Sequence, residues 1–382
     1  MRTLLVTGPG GAGSSTVAAA AAGRAAREGR STLLLSRRPA ALAGLDEVPG
    51  LRVRQVDGRR AVEGVWATHA DALAGLLPHL DLPPATSVVP VPGAAELALL
   101  AALASADADL VVVDAGPLAD GLALVALPGA LRWWLDQALP PTVRALAAVR
   151  TATVAAGAAR RGPLDTVLDA LPAVERLLGS DRLAVATGTA VWVTTGAQRA
   201  AVPAARRAAT VLGLHGLRID AVLARVLPDG GPGEWWRARA AEQDAARSGL
   251  ADVAPVHEVP ELATPPADLA GAAALLDGLD LPTAGGPVPP APERGEGGWR
   301  LAVPLPFADR AEVGVTRWGD DLVVSVGEDR RSLRLDSLLR RCQVTGGRLH
   351  APGTAAAHLE ISFRPDPQQW PADLLAAEER TR

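Results

Sequence analysis

The sequence predicts an α/β protein with a doubly wound, mostly parallel sheet and a helical subdomain, followed by a small all-β sandwich domain. Residues 2–7 form an apolar run that passes through a glycine-rich loop into an alanine-rich helix over 17–27. Further apolar runs alternate with helical stretches, which is typical of parallel strands covered by helices on both faces. Beyond a stretch rich in proline and glycine, the apolar pattern changes to a period of two, which predicts short antiparallel strands.

The parallel sheet is extended by four further apolar runs, at residues 31–36, 109–114, 191–195 and 219–227. Residues 120–180 are rich in leucine and alanine and predict a helical subdomain, which contains the adjacent Trp133 and Trp134. This tryptophan pair could line an apolar groove for a client helix. Packing in the core or at a subunit contact is the stronger expectation for such a pair.

The composition divides the chain into two domains, a linker and a tail. We expect the α/β domain at residues 1–277, a Pro/Gly-rich linker at 278–298, the β domain at 299–365 and a tail at 366–382. Short alternating runs separated by glycine-containing turns at 318–321 and 327–329 predict hairpins in the β domain.

The overall composition excludes several classes of protein. Of 382 residues 48% are hydrophobic and 21% are charged, which excludes global disorder. A net charge of −4 gives no reason to expect a nucleic-acid partner. The single cysteine, Cys342, excludes an internal disulfide or a multi-thiolate metal site and is expected to be a small buried residue. The six histidines lack metal-binding spacing, so we expect no structural metal.

The sequence also predicts a location. The longest uncharged run, Leu183 to Gln198, falls short of the roughly 20 apolar residues that a membrane span needs. The first residues run into the glycine loop with no secretory signal of the usual kind. We therefore expect a cytoplasmic protein without a membrane span.

The glycine loop follows a predicted strand and precedes a helix, which makes an anion-binding site of backbone N–H groups. A P-loop has the pattern G-x-x-x-x-G-K-[ST], whose lysine binds phosphates and whose hydroxyl holds Mg²⁺. Gly8 and Gly13 keep the spacing and Ser15 keeps the hydroxyl, but Ser14 stands at the lysine position. The chain has no lysine anywhere, so no lysine-dependent chemistry is available to it.

The loop and its context resemble the ArsA family of P-loop ATPases, which includes the arsenite-pump ATPase and an ATPase that targets tail-anchored membrane proteins. The family loop G-K-G-G-V-G-K-T-T matches Gly8 to Thr16, with Pro9 and Ser14 in place of both lysines. Arg38 stands in place of the aspartate that positions the attacking water. Asp120 replaces the histidine of the switch segment, which keeps its aspartate at Asp114.

Other segments carry the same resemblance along the chain. Residues 92–96 match P-G-x-x-E, and residues 222–228 match V-V-N-R-V-L-P with Ala224 in place of the adenine-reading asparagine. Residues 305–310 and 338–346 resemble the small-heat-shock-protein-like (α-crystallin-like) domain that follows some bacterial ArsA-type domains.

The resemblance implies a fold of the P-loop NTPase type and Mg-ATP as the ligand, bound weakly because both lysines are lost. It places Mg²⁺ at Ser15 and Asp114 and nucleotide contacts at ten residues: Gly8, Gly10, Gly11, Ala12, Gly13, Ser14, Ser15, Thr16, Asp114 and Ala224. The degenerate positions Pro9, Ser14, Arg38 and Asp120 leave no catalytic residue intact. Family members work as dimers, so we expect a homodimer or a heterodimer with an ArsA-like paralogue.

Three functions follow from these observations. The favoured one is a non-hydrolysing or weakly nucleotide-binding regulatory subunit paired with a catalytic paralogue. The first alternative is an active ATPase for anion transport or membrane-protein targeting, with peripheral membrane association. The second alternative is a chaperone-like protein that binds apolar protein segments.

Overall fold

The computed structural model describes residues 2–39, 42–76, 82–157, 188–228, 230–282, 290–295 and 297–370. Its larger sheet has seven parallel strands in the order β3-β2-β4-β1-β5-β6-β7, which confirms the predicted parallel sheet. The strands are β1 (Arg2–Gly8), β2 (Thr32–Ser36), β3 (Leu51–Gln55), β4 (Leu110–Pro117), β5 (Thr189–Gly196), β6 (Ala221–Val226) and β7 (Val256–Pro260). The edge strands β3 and β7 were not predicted, because both are short and interrupted by charged or polar residues.

Helices cover both faces of this sheet, as predicted. They are α1 (Ser14–Arg27), α2 (Gly58–Leu76), α3 (Ala94–Ala104), α4 (Leu118–Ala138), α5 (Pro141–Ala155), α6 (Ala201–Leu214), α7 (Glu234–Ala251) and α8 (Leu269–Ala273). One hydrophobic core contains buried residues of α1 and α8. A second, on the opposite face, contains buried residues of α3, α4 and α6. The small side chains of the alanine-rich α1 let the helix pack closely on the central strands.

The predicted helical subdomain at residues 120–180 is described in part. Helices α4 and α5 belong to it, and residues 158–187 lie outside the described residues. Within the described chain, α4 is long and apolar enough to cross a membrane by length and composition alone. A single such helix is weak evidence for a membrane span. The ends of α4 hold ion-paired Asp120 and Asp136, and Leu124 is buried in the sheet core.

The C-terminal unit is a sandwich of two antiparallel sheets, as predicted. Strands β10, β11 and β12 form one sheet, and strands β13, β14, β9 and β8 form the other, in that order. The strands are β8 (Glu293–Gly295), β9 (Gly298–Pro304), β10 (Val313–Trp318), β11 (Asp321–Val326), β12 (Asp329–Arg334), β13 (Cys342–His350) and β14 (His358–Pro365). The predicted hairpin turns lie between Trp318 and Asp321 and between Val326 and Asp329. Cys342 is buried in the sandwich core.

The segment predicted as a linker is partly built into both units. Leu281 is buried in the core beside α1, and Arg24 of α1 donates hydrogen bonds to the carbonyls of Leu276 and Leu279 at 3.0 and 2.7 Å. At its other end, β8 pairs with β9 as an edge strand. Residues 283–289 and 296 lie outside the described residues.

The sandwich packs directly on α6 of the larger unit. Leu214 is buried among the sandwich residues, and its carbonyl accepts a hydrogen bond from Arg331 Nη1 at 2.7 Å. Thr210 Oγ1 donates to the carbonyl of Pro306 at 2.5 Å. A Cβ at Gly213 would lie 2.6 Å from Pro306 Cδ, so a glycine is needed for this close approach.

Candidate nucleotide site

A cavity of about 630 Å³ lies at the carboxyl ends of the central strands. Open parallel sheets bind ligands in this position, where loops from several strands converge. The loop after β1 and the first turn of α1 form its floor, and the ends of β2, β4, β6 and β7 form its walls. Its volume is within the usual range for small-molecule sites.

The glycine loop between β1 and α1 is shaped by close backbone approaches. A Cβ at Gly8 would lie 2.2 Å from the Thr194 carbonyl oxygen, so only glycine fits beside β5. Gly13, with φ +87°, precedes α1 in the left-handed conformation that glycine adopts without strain. No side chain caps α1 and no acidic residue lies in its first turn. The N–H groups of Ser14, Ser15 and Thr16 therefore lack intrahelical acceptors, and these residues border the cavity, where such groups can bind an anion.

Two features reduce the number of donors in the loop. Pro9 has no N–H group. The N–H group of Ala12 is used within the loop, where it donates to the Pro9 carbonyl at 3.1 Å. The loop therefore keeps its shape but offers fewer backbone donors than its glycine content indicates.

Asp114 lies in the carboxyl-terminal half of β4 and is 4% exposed. Its Oδ1 accepts a hydrogen bond from the N–H group of Gly116 at 3.1 Å, and its Oδ2 lies 3.2 Å from the hydroxyl of Ser36. Ser15 borders the same cavity. The Ser15 hydroxyl and the Asp114 carboxylate are oxygen ligands of the kind that Mg²⁺ prefers, so the pair fits the metal that the resemblance implies.

Arg37 lies between two carboxylates. Its Nη1 is 3.0 Å from Glu96 Oε1 and 2.6 Å from Asp120 Oδ2. This cluster joins the end of β2 to the first turns of α3 and α4. Glu96 is the glutamate of the segment at 92–96 that resembles the family pattern P-G-x-x-E. Its contact with Arg37 is visible only in the structure.

Arg225, at the end of β6, ties the glycine loop to the last strand of the sheet. Its Nη1 donates to the carbonyl of Gly11 at 3.1 Å, and its Nε is 3.1 Å from Glu261 Oε2. The sequence alone does not predict this pair. Glu261 follows the unpredicted β7, so no sequence signal connected it with the glycine loop.

Most of the candidate site residues line this one cavity. Those that border it are Gly8, Gly10, Gly11, Ala12, Gly13, Ser14, Ser15, Thr16, Arg38, Asp114 and Asp120. Pro9 is exposed in the loop and is not among the lining residues. Ala224 is fully buried in the core on one sheet face, while its neighbours Leu223 and Arg225 reach the cavity.

The two ends of the cavity differ in chemistry. Near β7 the apolar side chains of Pro260, Leu262, Pro265 and Pro266 line the wall together with the ion-paired Arg225 and Glu261. Near β2 and β4 it is charged, with Arg37, Arg38, Asp114 and Asp120. Among the described residues, no group of three or more histidine, cysteine, aspartate or glutamate side chains could hold a metal by itself.

Comparison with known proteins agrees with this architecture. Residues 1–44 match the family model of the anion-transporting ATPase of ArsA, and residues 296–363 match that of the HSP20-like domain found in ArsA. Over 396 aligned residues the chain is 35% identical to the uncharacterized protein SCO2128 of Streptomyces coelicolor, with 97% of this chain and 99% of that protein covered. The chain belongs to the ArsA family. Its sandwich is the HSP20-like domain of that family.

A second relative extends over the same length. Protein Rv2184c of Mycobacterium tuberculosis is 29% identical over 431 aligned residues, with 97% of each chain covered. Both relatives therefore align with the α/β domain and the HSP20-like domain together.

Proposed function

We propose that this ArsA-family chain binds Mg-ATP without hydrolysing it and acts as the regulatory subunit of a dimer with a catalytic paralogue. The observation that carries the proposal is the contrast within one cavity. The glycine loop keeps its shape and the unbonded N–H groups at the start of α1, whereas the two family lysine positions hold Pro9 and Ser14, and Arg37 is paired with Glu96 and Asp120.

Nucleotide affinity is expected to be low. A hydrogen bond to a charged group contributes roughly 1.5 to 3 kcal/mol, so two absent lysines weaken binding by about 10²-fold to 10⁴-fold relative to a lysine-containing loop. The free N–H groups at the start of α1 and the oxygen ligands of Ser15 and Asp114 still favour a magnesium-bound polyphosphate.

Hydrolysis by this chain alone is disfavoured by charge. Phosphoryl transfer depends almost entirely on positioned water and on positive charge around the transferred group. The guanidinium of Arg38 stands at the family position of the water-orienting carboxylate and cannot accept a proton from water. The chain thus has neither the base nor the lysines of the family reaction.

The proposed role as a regulatory subunit is based on the dimers that members of the family form. A half-site that does not hydrolyse is tolerated in a dimer whose other half does, and it can set the partner's rate through nucleotide occupancy. The partner in this proposal is an ArsA-family chain of the same organism with both loop lysines.

Steady-state phosphate release tests the proposal directly. The purified chain, the lysine-containing paralogue and their mixture are assayed with Mg-ATP, and native mass spectrometry measures the assemblies. We expect background release from this chain alone, and a mixed dimer whose rate differs from that of the paralogue. Turnover well above background by the pure chain would contradict the proposal and favour the active transport or targeting ATPase. If this chain forms only homodimers when it is mixed with the paralogue, the proposed pairing is refuted.

A chaperone-like function is the second candidate, because α4 and α5 expose large apolar side chains. Val143, Leu146 and Val149 recur along α5, and Trp134 on α4 is 65% exposed. Suppression of the aggregation of an unfolded client by the full chain would support this function. Leu146→Glu should abolish that suppression, whereas Val89→Glu, at an exposed valine outside these helices, should not.

A further inference from the structure

Two adjacent arginines at the end of β2 have different environments. The guanidinium of Arg37 contacts both Glu96 and Asp120. Arg38 borders the cavity, and its guanidinium has no ion pair or hydrogen bond among the described residues. Arg37 is therefore neutralised within the protein, and Arg38 is a cation available to a ligand.

The backbone of Arg38 is fixed beside Asp114. The hydroxyl of Ser36 lies 2.8 Å from the Arg38 carbonyl and accepts a hydrogen bond from its N–H group at 3.2 Å. The same hydroxyl lies 3.2 Å from Asp114 Oδ2. Ser36 thus places the base of the Arg38 side chain next to the candidate magnesium ligand, where the charged end of a magnesium-bound polyphosphate would lie.

The sheet order gives a nucleotide one favourable orientation. The glycine loop follows β1. On one side, the end of β7 contributes an apolar wall of Pro260, Leu262, Pro265 and Pro266, next to the mutually paired Arg225 and Glu261. On the other side, β4 and β2 contribute Asp114 and Arg38. A planar base is favoured at the apolar wall, and phosphates are favoured at the N–H groups of α1. The end of the phosphate chain then points away from β7, toward Arg38.

We propose that Arg38 binds the terminal phosphate of a nucleoside triphosphate and replaces the positive charge of the absent lysines. This inference rests on the proposed nucleotide binding and adds to it a preference for triphosphate over diphosphate. Arg38 then has two effects. It stands in place of the carboxylate that orients water in the family, and it supplies a cation that binds the unhydrolysed triphosphate.

Calorimetric titration of the full chain with Mg-ATP and Mg-ADP tests the assignment. We expect the wild type to bind Mg-ATP more tightly than Mg-ADP. Arg38→Ala should lose about 10-fold to 100-fold in Mg-ATP affinity, as expected for one charge-assisted contact, and change Mg-ADP affinity by less than about twofold. Arg38→Lys should recover part of the loss, because a point charge lacks the forked geometry of a guanidinium.

A matched control comes from β3, where Arg54 is exposed and does not border this cavity. Arg54→Ala should leave both affinities unchanged, and an unchanged melting temperature should show that Arg38→Ala is folded. Equal losses for Mg-ATP and Mg-ADP, or no loss for either, would overturn the role of Arg38 while nucleotide binding by the wild type stands. No binding of either nucleotide by the wild type would overturn the proposed function and this inference together.

Discussion

Arg334 of β12 donates a hydrogen bond to Asp136 Oδ2 of α4 at 3.2 Å. Beside it, Trp318 Nε1 donates to Gln137 Oε1 at 3.0 Å. The last turns of α4 therefore contact the HSP20-like domain, whereas the first turn carries Asp120 at the cavity wall. A helix of 21 residues is about 30 Å long, so one continuous helix, with Pro128 in its interior, connects the candidate nucleotide site with the sandwich.

The carboxylate of Asp136 contacts arginines from two elements, Arg144 of α5 and Arg334 of β12. Asp136→Asn should destabilise the protein by about 1 to 3 kcal/mol, because it leaves two guanidinium groups without their anion. Urea unfolding of Asp136→Asn, Arg334→Gln and the double variant should give a coupling energy of about 0.5 to 1 kcal/mol, since Arg334 is half exposed. Strict additivity of the two substitutions would refute this contact between the domains.

Phe307 anchors the sandwich on the larger unit. Its ring packs against the core containing α6, with the Arg206 guanidinium 5.1 Å from the ring centroid. Phe307→Ala should lower the free energy of unfolding by about 2 to 3 kcal/mol, which is less than the loss expected when a fully buried phenylalanine is replaced. Phe307 has φ +62°, so Phe307→Gly loses the same ring but relieves the backbone strain. The glycine variant should melt no lower than the alanine variant, with exposed Val89→Ala as the unchanged control.

His215, at the end of α6, gives the fold a dependence on pH. Burial, and to a lesser extent the charge of Arg331, lower the pKa of His215 from 6.5 to about 4. The folded state therefore favours the neutral ring. Above pH 6.5 the ring is neutral in both the folded and the unfolded state, and stability is highest. As the pH falls from 6.5 toward 4, the unfolded state binds a proton more readily, and the free energy of unfolding decreases. The loss over this window is about 3 kcal/mol. Urea unfolding of the wild type against His215→Leu should show this difference, and parallel pH curves would contradict it.

Restoring one lysine should strengthen nucleotide binding without restoring catalysis. Ser14→Lys places a cation at the first residue of α1, beside the cavity, and should raise Mg-ATP affinity by about 10-fold to 100-fold. Phosphate release should stay at background, because Arg38 still occupies the position of the water-orienting carboxylate. Unchanged affinity in calorimetric titration would mean that the glycine loop does not hold the phosphates.

The sequence predicted the glycine loop because strand, loop and helix are local in the chain. It also predicted the hairpins of the sandwich, since their turns are marked by Gly319 and Gly327. Strand β3 could not be predicted from a continuous apolar run. It is an edge strand covered on one side only, and Arg52 and Arg54 interrupt its apolar residues.

The partners around the cavity are long-range and left no local signal. Arg37 and Arg38 are adjacent and chemically identical, yet only the fold brings Glu96 and Asp120 to the first of them. The Arg225–Glu261 pair joins β6 to the end of an unpredicted strand. Which of the two guanidinium groups is ion-paired within the described part of the chain therefore depends on tertiary structure.

The central proposal is that the chain binds Mg-ATP without hydrolysing it. The most direct test measures binding of labelled Mg-ATP to the pure chain by equilibrium dialysis, at concentrations up to about 10⁴-fold above those that half-saturate a lysine-containing ArsA paralogue, and identifies the nucleotide by anion-exchange chromatography over time. We expect protein-dependent binding within this concentration range, with the nucleotide remaining ATP at every time point. ADP that accumulates with time above a protein-free control, or no bound nucleotide anywhere in this concentration range, would contradict it.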